Sequence, residues 1–186
     1  GANVLGIDVT CFPDTDNICN PRGVIDQAEK LAAQAYDADK AFFLVNGTTS
    51  GIQAMIMAVC EPGDKIILPR NAHKSAFGGL IMSGAKPIYI EPEMNREFGI
   101  SMGITPEKVE WALLQHPDAK AIFLINPNYY GTASDLVKIV EIAHGHGVPV
   151  VVDEAHGAHF KFHDKLPISS MEAGADLAAS STHKLI

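Results

Sequence analysis

Four short stretches carry side chains that could do chemistry together. "SSTHKLI" (180–186) places Ser180, Ser181, Thr182 and His183 ahead of Lys184. A lysine held away from water has a lowered pKa and can act as an amine nucleophile. "VVDEAHGAHF" (151–160) sets Asp153 at the end of an apolar run. A carboxylate buried there is costly unless it meets a cation or a strong donor. "NGTTSG" (46–51) brings Gly47, Thr48, Thr49 and Ser50 to the start of a helical pattern. Free N–H groups, hydroxyls and the helix dipole at such a start suit a phosphate. "PRNAHKS" (69–75) delivers His73 to a helix entry, where, taken alone, a helix-capping or surface histidine is the better reading.

Rival chemistries fit less well. His156, His159 and His163 could ligate a metal from one loop, but no cysteine or second histidine pair completes a zinc pattern, so no metal site is expected. "DEAH" (153–156) is the acidic box of helicase-type ATPases, yet no G-x-x-x-x-G-K-[ST] loop occurs in the sequence. "NPNYYG" (126–131) offers an Asn or a Tyr to a ligand, although turn chemistry explains most of it.

A phosphate cradle, a buried acid, a stacking imidazole and a lysine together suit pyridoxal 5'-phosphate. In that reading Lys184 bonds the cofactor aldehyde, and Asp153 keeps the pyridine nitrogen protonated. An imidazole can pack over the ring face, and the hydroxyls with the helix N–H groups hold the phosphate.

These residues must be positioned by a frame, and the frame is legible. Near-continuous apolar runs at 41–45, 65–69, 86–90, 121–125, 149–153 and 176–180 read as strands covered on both faces. Helical patterns fall at about 23–36, 48–60, 73–83, 105–116 and 134–146. Thr105-Pro106-Glu107 reads as a helix start with an N-cap hydroxyl, and Gly63, Gly84 and Gly147 as helix ends. Strand–helix alternation predicts a three-layer α/β fold with a mostly parallel sheet and helices on both faces. In such folds ligands bind beyond the carboxyl ends of the strands, which is where all four stretches fall. Residues 1–22 are expected to be an irregular arm, and 23–186 one large cofactor-binding domain.

Composition narrows the class further. A hydrophobic share of 47% against 19% charged gives 186 residues enough apolar material for a core. A net charge of −8 argues against nucleic acid as a partner. No apolar stretch approaches the roughly 20 residues that span a bilayer, so no membrane is expected. The opening "GANVLGIDVT" lacks the features of a signal peptide, and Cys11, Cys19 and Cys60 are odd in number and irregularly spaced. Free thiols in the reducing cytoplasm are the expectation.

Taken together, "PRGVIDQAEKLAA", "FFLVNGTTSG", "PGDKIILPRNAHKS", "GITPE", "VDEAHGAHFKFHDKLP" and "AGADLAASSTHKL" resemble the Orn/Lys/Arg decarboxylase family of fold-type-I pyridoxal phosphate enzymes, in particular its shorter bacterial arginine-decarboxylase-like members. The resemblance runs from about Pro21 to the end. It implies Lys184 as the Schiff-base lysine, Asp153 as the acid on the pyridine nitrogen and Ala155 as the small residue under the ring. It implies His73 as the stacked histidine, Thr48, Thr49 and Ser50 as the phosphate loop, and Ser181 and His183 as neighbours of the phosphate. His156 stands where larger relatives hold an aromatic.

The reaction implied is decarboxylation of a basic amino acid, arginine ahead of lysine or ornithine, to a polyamine precursor. The resemblance also implies a homodimer or larger homo-oligomer. Family chains continue past the lysine into a further strand and a C-terminal domain, so this chain is expected to be a piece of such a protein. An aminotransferase or aldolase of the same fold, or a piece that folds without catalysis, stand as alternatives.

Overall fold

The computed structural model describes residues 6–185; the first five residues of "GANVLGIDVT" and the final Ile186 of "SSTHKLI" lie outside the described residues. The chain divides into two compact units at Val45/Asn46.

In the first unit, turns lead into helix α1 (Val24–Ala35). Asp16 organises this entry. One carboxylate oxygen takes the N–H groups of Asn17 and Arg22 at 2.8 and 3.0 Å. The other takes those of Gly23, Ile25 and Asp26 at 2.7, 3.0 and 3.3 Å. The start of α1 is thus capped from eight residues upstream, while Gly23 itself offers no side chain. Farther on, buried Glu29 accepts the N–H of Phe43 at 2.9 Å.

The second unit starts with α2 (Gly47–Val59), β1 (Lys65–Pro69), α3 (Lys74–Ser83), β2 (Lys86–Ile90) and a small hairpin, β3 (Met94–Asn95) with β4 (Ile100–Ser101). It continues with α4 (Pro106–Gln115), β5 (Ala119–Ile125), α5 (Leu136–Gly145) and β6 (Val150–Glu154). A single 3-10 turn (Phe160–Phe162), β7 (Leu177–Ser180) and the short α6 (Thr182–Leu185) complete it. Five strands form one sheet in the order β2-β1-β5-β6-β7. Every pair in it is parallel.

The strand pleat explains why the strand sequences are apolar almost throughout. Ile66 and Leu68 of β1, Phe123 of β5 and Val151 of β6 face Ile52, Ile56 and Leu80 of α2 and α3. Their neighbours Ile67, Ile122, Leu124 and Val152 face Val109, Leu113 and Ile139 of α4 and α5. Each successive residue therefore meets a covered face.

Two expectations are corrected. Residues 41–45 do not form a strand; they have no ladder partner among the described residues, and Phe42 and Val45 are 64% and 82% exposed. An apolar run specifies a strand only where a neighbour completes its hydrogen bonds. Thr105 precedes α4, but its hydroxyl makes no bond to the helix backbone. The Glu107 carboxyl sits below its usual range because of its own N–H first and the Thr105 hydroxyl second.

Candidate active site

A cavity of about 220 Å³ opens beyond the carboxyl ends of β1, β5, β6 and β7. Its residues come from the ends of β5 and β6, from the turns after the four strands and from the first two turns of α2. Gly47 (φ +68°) begins α2 in a conformation that a side chain would strain, and it places Thr48 and Thr49 on the cavity wall. The Thr48 hydroxyl is already engaged: it meets the Ser181 hydroxyl and donates to the Ser180 carbonyl at 3.4 Å. The start of α2 is thereby tied to the end of β7.

His73 caps α3, as the simpler reading of its position had it, and it also lines the cavity. The N–H of Ser75 donates to its Nδ1 at 3.2 Å, so the neutral ring carries its proton on Nε2.

Asp153 lies at the end of β6 with 4% of its surface exposed. Among the described residues its carboxylate takes one hydrogen bond, from the N–H of Ala155 at 3.1 Å. Burial pushes its pKa up; the Ala155 N–H, His73, Lys184 and His156 pull it back in that order. A buried carboxylate with spare acceptor capacity on a cavity is a site for a cationic donor. His156 stands beside it, with its pKa lowered by burial and then by the Lys184 charge.

Lys184, His183 and Ser181 reach the same cavity after β7. Lys184 is exposed, whereas the sequence reading expected it to be desolvated. α6, which carries it, is one turn long. Ser50 is the other departure. Its hydroxyl turns back to the Gly47 carbonyl at 2.8 Å, and the residue does not line the cavity. Helical rotation of about 100° per residue carries it past the wall that Thr48 and Thr49 face.

Ile52 and Ile125 line the cavity without having been singled out, and so does Tyr129, which the sequence offered only as one of the residues of a turn. The signal for Tyr129 was the "NPNYYG" turn, and the turn does place it. Asn128 accepts the N–H groups of Tyr130 and Thr132 at 2.9 and 3.1 Å and donates to the Ser101 carbonyl at 2.8 Å. Tyr129 is left standing between His73 (ring centroids 6.4 Å) and His156 (5.0 Å). No group of His, Cys, Asp and Glu among the described residues could hold a metal ion.

The donor set fits pyridoxal phosphate. Hydroxyls and free N–H groups at a helix start can take a phosphate, a spare buried carboxylate oxygen can take a ring N–H, and an amine stands at the rim.

The parallel three-layer sheet with its cavity at the carboxyl edge defines the class: an α/β ligand-binding domain of the fold-type-I kind. The chain belongs to the Orn/Lys/Arg decarboxylase family, whose major domain matches residues 1–186. The arginine decarboxylase of Bacillus subtilis is 56% identical over 185 residues, covering 100% of this chain and 38% of that protein. The chain thus spans about two fifths of the length of that relative. Among solved structures, lysine decarboxylase A from Pseudomonas aeruginosa superposes with a TM-score of 0.80 at 26% identity, over 93% of this chain and 26% of that one. The pyridoxal-5'-phosphate dependent protein YhfS from Escherichia coli shares the fold, with a TM-score of 0.67 at 17% identity over 86% of this chain and 40% of that one.

Proposed function

We propose that this chain is the cofactor-binding part of a pyridoxal phosphate-dependent decarboxylase that acts on a basic amino acid, arginine first, then lysine or ornithine. The observation that carries the proposal is Asp153: a carboxylate that is 4% exposed, holds one hydrogen bond among the described residues and lines the same cavity as Lys184 and the start of α2. Pyridoxal phosphate, when bound, supplies an electron sink for the bond broken at the substrate's Cα.

The residues divide the work as follows. Lys184 supplies the amine that holds the cofactor aldehyde carbon. Asp153 accepts the ring N–H and keeps that nitrogen cationic. His73 would stack on the ring, and Ala155 is the small residue that would leave room for it. Gly47, Thr48 and Thr49 offer N–H groups and hydroxyls to the phosphate, with Ser181 and His183 beside them. His156, whose pKa is lowered by burial and then by the Lys184 charge, lines the wall near Tyr129. The substrate assignment is supported by the 56% identity to an arginine decarboxylase. The same reading makes the product a polyamine precursor and the protein a cytoplasmic homodimer or larger homo-oligomer.

The test has two parts. Absorbance of the purified full-length protein with pyridoxal phosphate should show the long-wavelength band of a lysine-bound cofactor. Carbon dioxide release from arginine, lysine and ornithine then ranks the substrates. A band without release from any of the three would overturn the decarboxylase assignment, and no band would overturn the cofactor assignment.

A further inference from the structure

Glu154 is a buried ionisable group that the proposed function leaves unused. It follows Asp153 in β6, and the pleat sends its side chain to the other face of the sheet. Val151 and Asp153 share the face packed by α2 and α3, whereas Val152 and Glu154 share the face packed by α4 and α5. Glu154 is 2% exposed and does not line the cavity. Gly157 closes over it: a Cβ there would stand 2.8 Å from Glu154 Cγ and 2.8 Å from Pro127 Cδ.

Its carboxylate has two sets of partners. Oε1 accepts the N–H and the hydroxyl of Ser170, both at 2.7 Å. Oε2 accepts the hydroxyl of Ser180 at 3.0 Å. Ser180 is the last residue of β7 and lies in register with Glu154 across the β6–β7 ladder. Its carbonyl receives the Thr48 hydroxyl at 3.4 Å, and the next residue, Ser181, meets the same hydroxyl. The Lys184 N–H in turn donates to the Ser181 carbonyl at 3.3 Å. A buried carboxylate therefore grips, from the back of the sheet, the residue from which the lysine-bearing turn departs. The other ties on that turn are the Thr48 hydroxyl and the Lys184 N–H, and α6 itself is four residues long with Lys184 exposed.

We infer that Glu154 is a positioning residue, which acts through Ser180 to hold Ser181 and Lys184 at the cavity. The inference rests on the cofactor site proposed above, in that Lys184 is the group worth positioning. It differs from a general packing role in one respect: the effect runs through a single hydrogen bond. Ser180→Ala removes that bond and leaves the Glu154–Ser170 bonds intact. Glu154→Gln keeps an oxygen for Ser170 and offers its NH2 to the Ser180 hydroxyl, so the conservative variant should rescue.

The experiment compares wild type, Ser180→Ala and Glu154→Gln in the full-length protein. Amide hydrogen exchange over 177–184 is measured without cofactor, and pyridoxal phosphate is then titrated by absorbance. Loss of a hydrogen bond to a buried carboxylate predicts, for Ser180→Ala, exchange about tenfold faster at 181–184 and cofactor binding about tenfold weaker. The lysine-bound band should shrink, while exchange in β1 and β5 stays unchanged. Glu154→Gln should match wild type in both readouts. Unchanged exchange at 181–184 in Ser180→Ala overturns the inference, as does faster exchange spread evenly over the sheet. Should wild type take no cofactor, the proposed function falls, and the exchange comparison alone decides the role of Glu154.

Discussion

Replacing Asp153 by Asn separates two reasons for keeping a carboxylate out of water. The amide oxygen can still accept the Ala155 N–H, which now sits 3.1 Å away, so the local turn is preserved. What is lost is the negative charge that would meet a protonated ring nitrogen. A hydrogen bond to a charged partner is worth about 1.5–3 kcal/mol, so the dissociation constant for pyridoxal phosphate should rise about 10–150-fold. The cofactor-free protein should respond in the opposite sense. Burial raises the folded pKa of Asp153 above its unfolded value near 3.9. Between the two pKa values the folded state holds a proton that the unfolded state has released. Stability then falls as pH rises through that window, and Asp153→Asn should remove this fall. Cofactor binding has the reverse slope, because it needs the ionised carboxylate and strengthens as pH rises through the folded pKa. The assays are absorbance titration with cofactor and urea unfolding without it, each across pH 4–8. An Asp153→Asn protein that binds cofactor as tightly as wild type, or that loses several kcal/mol without cofactor, would refute the reasoning.

Three further outcomes follow from the same geometry. Lys184→Ala should abolish the lysine-bound absorbance band yet leave cofactor-free stability within about 0.5 kcal/mol, because the side chain is exposed; urea unfolding and a spectrum check both. Phe123→Ala, at a fully buried position in β5, should cost about 3–5 kcal/mol by denaturant unfolding. Asp16→Asn should speed amide exchange at 22–26, since the Arg22 N–H first, and those of Asn17, Gly23 and Asp26, hold the carboxyl well below its usual range. Its contribution is present above the unfolded pKa and is lost as pH falls toward the folded one, so the difference between Asp16→Asn and wild type should vanish in strong acid.

The frame was readable because each element obeys its own period. Apolar runs such as 121–125 sit in the sheet interior, and the helices start and stop close to where Pro106 and Gly84 suggest. Residues 41–45 carry the same apolar signal and fail as a strand, because composition does not say which segment supplies the partner. The hairpin at 94–101 was invisible since two-residue strands have no period to detect. In the site, Asp153 announced itself as an acid ending an apolar run. Its neighbour Glu154 did not, because "DEAH" reads as one motif whereas the pleat puts its two acids on opposite sides of the sheet. Thr48 and Ser50 look equivalent in "NGTTSG", and only helical rotation sorts them. Tyr129 depends on the hydrogen bonds of Asn128 to the hairpin at Ser101, a contact made across 27 residues. The exposure of Lys184 depends on what packs around a single turn, which its own sequence does not encode.

The central claim is that Lys184 is the covalent anchor of a pyridoxal phosphate site. Borohydride reduction of the full-length protein incubated with the cofactor, followed by peptide mass mapping, tests it most directly. The account predicts a pyridoxyl adduct on Lys184, absent from the Lys184→Ala variant and much reduced in Asp153→Asn. An adduct spread over surface lysines such as Lys30 and Lys165, or unmodified Lys184 at saturating cofactor, would contradict it.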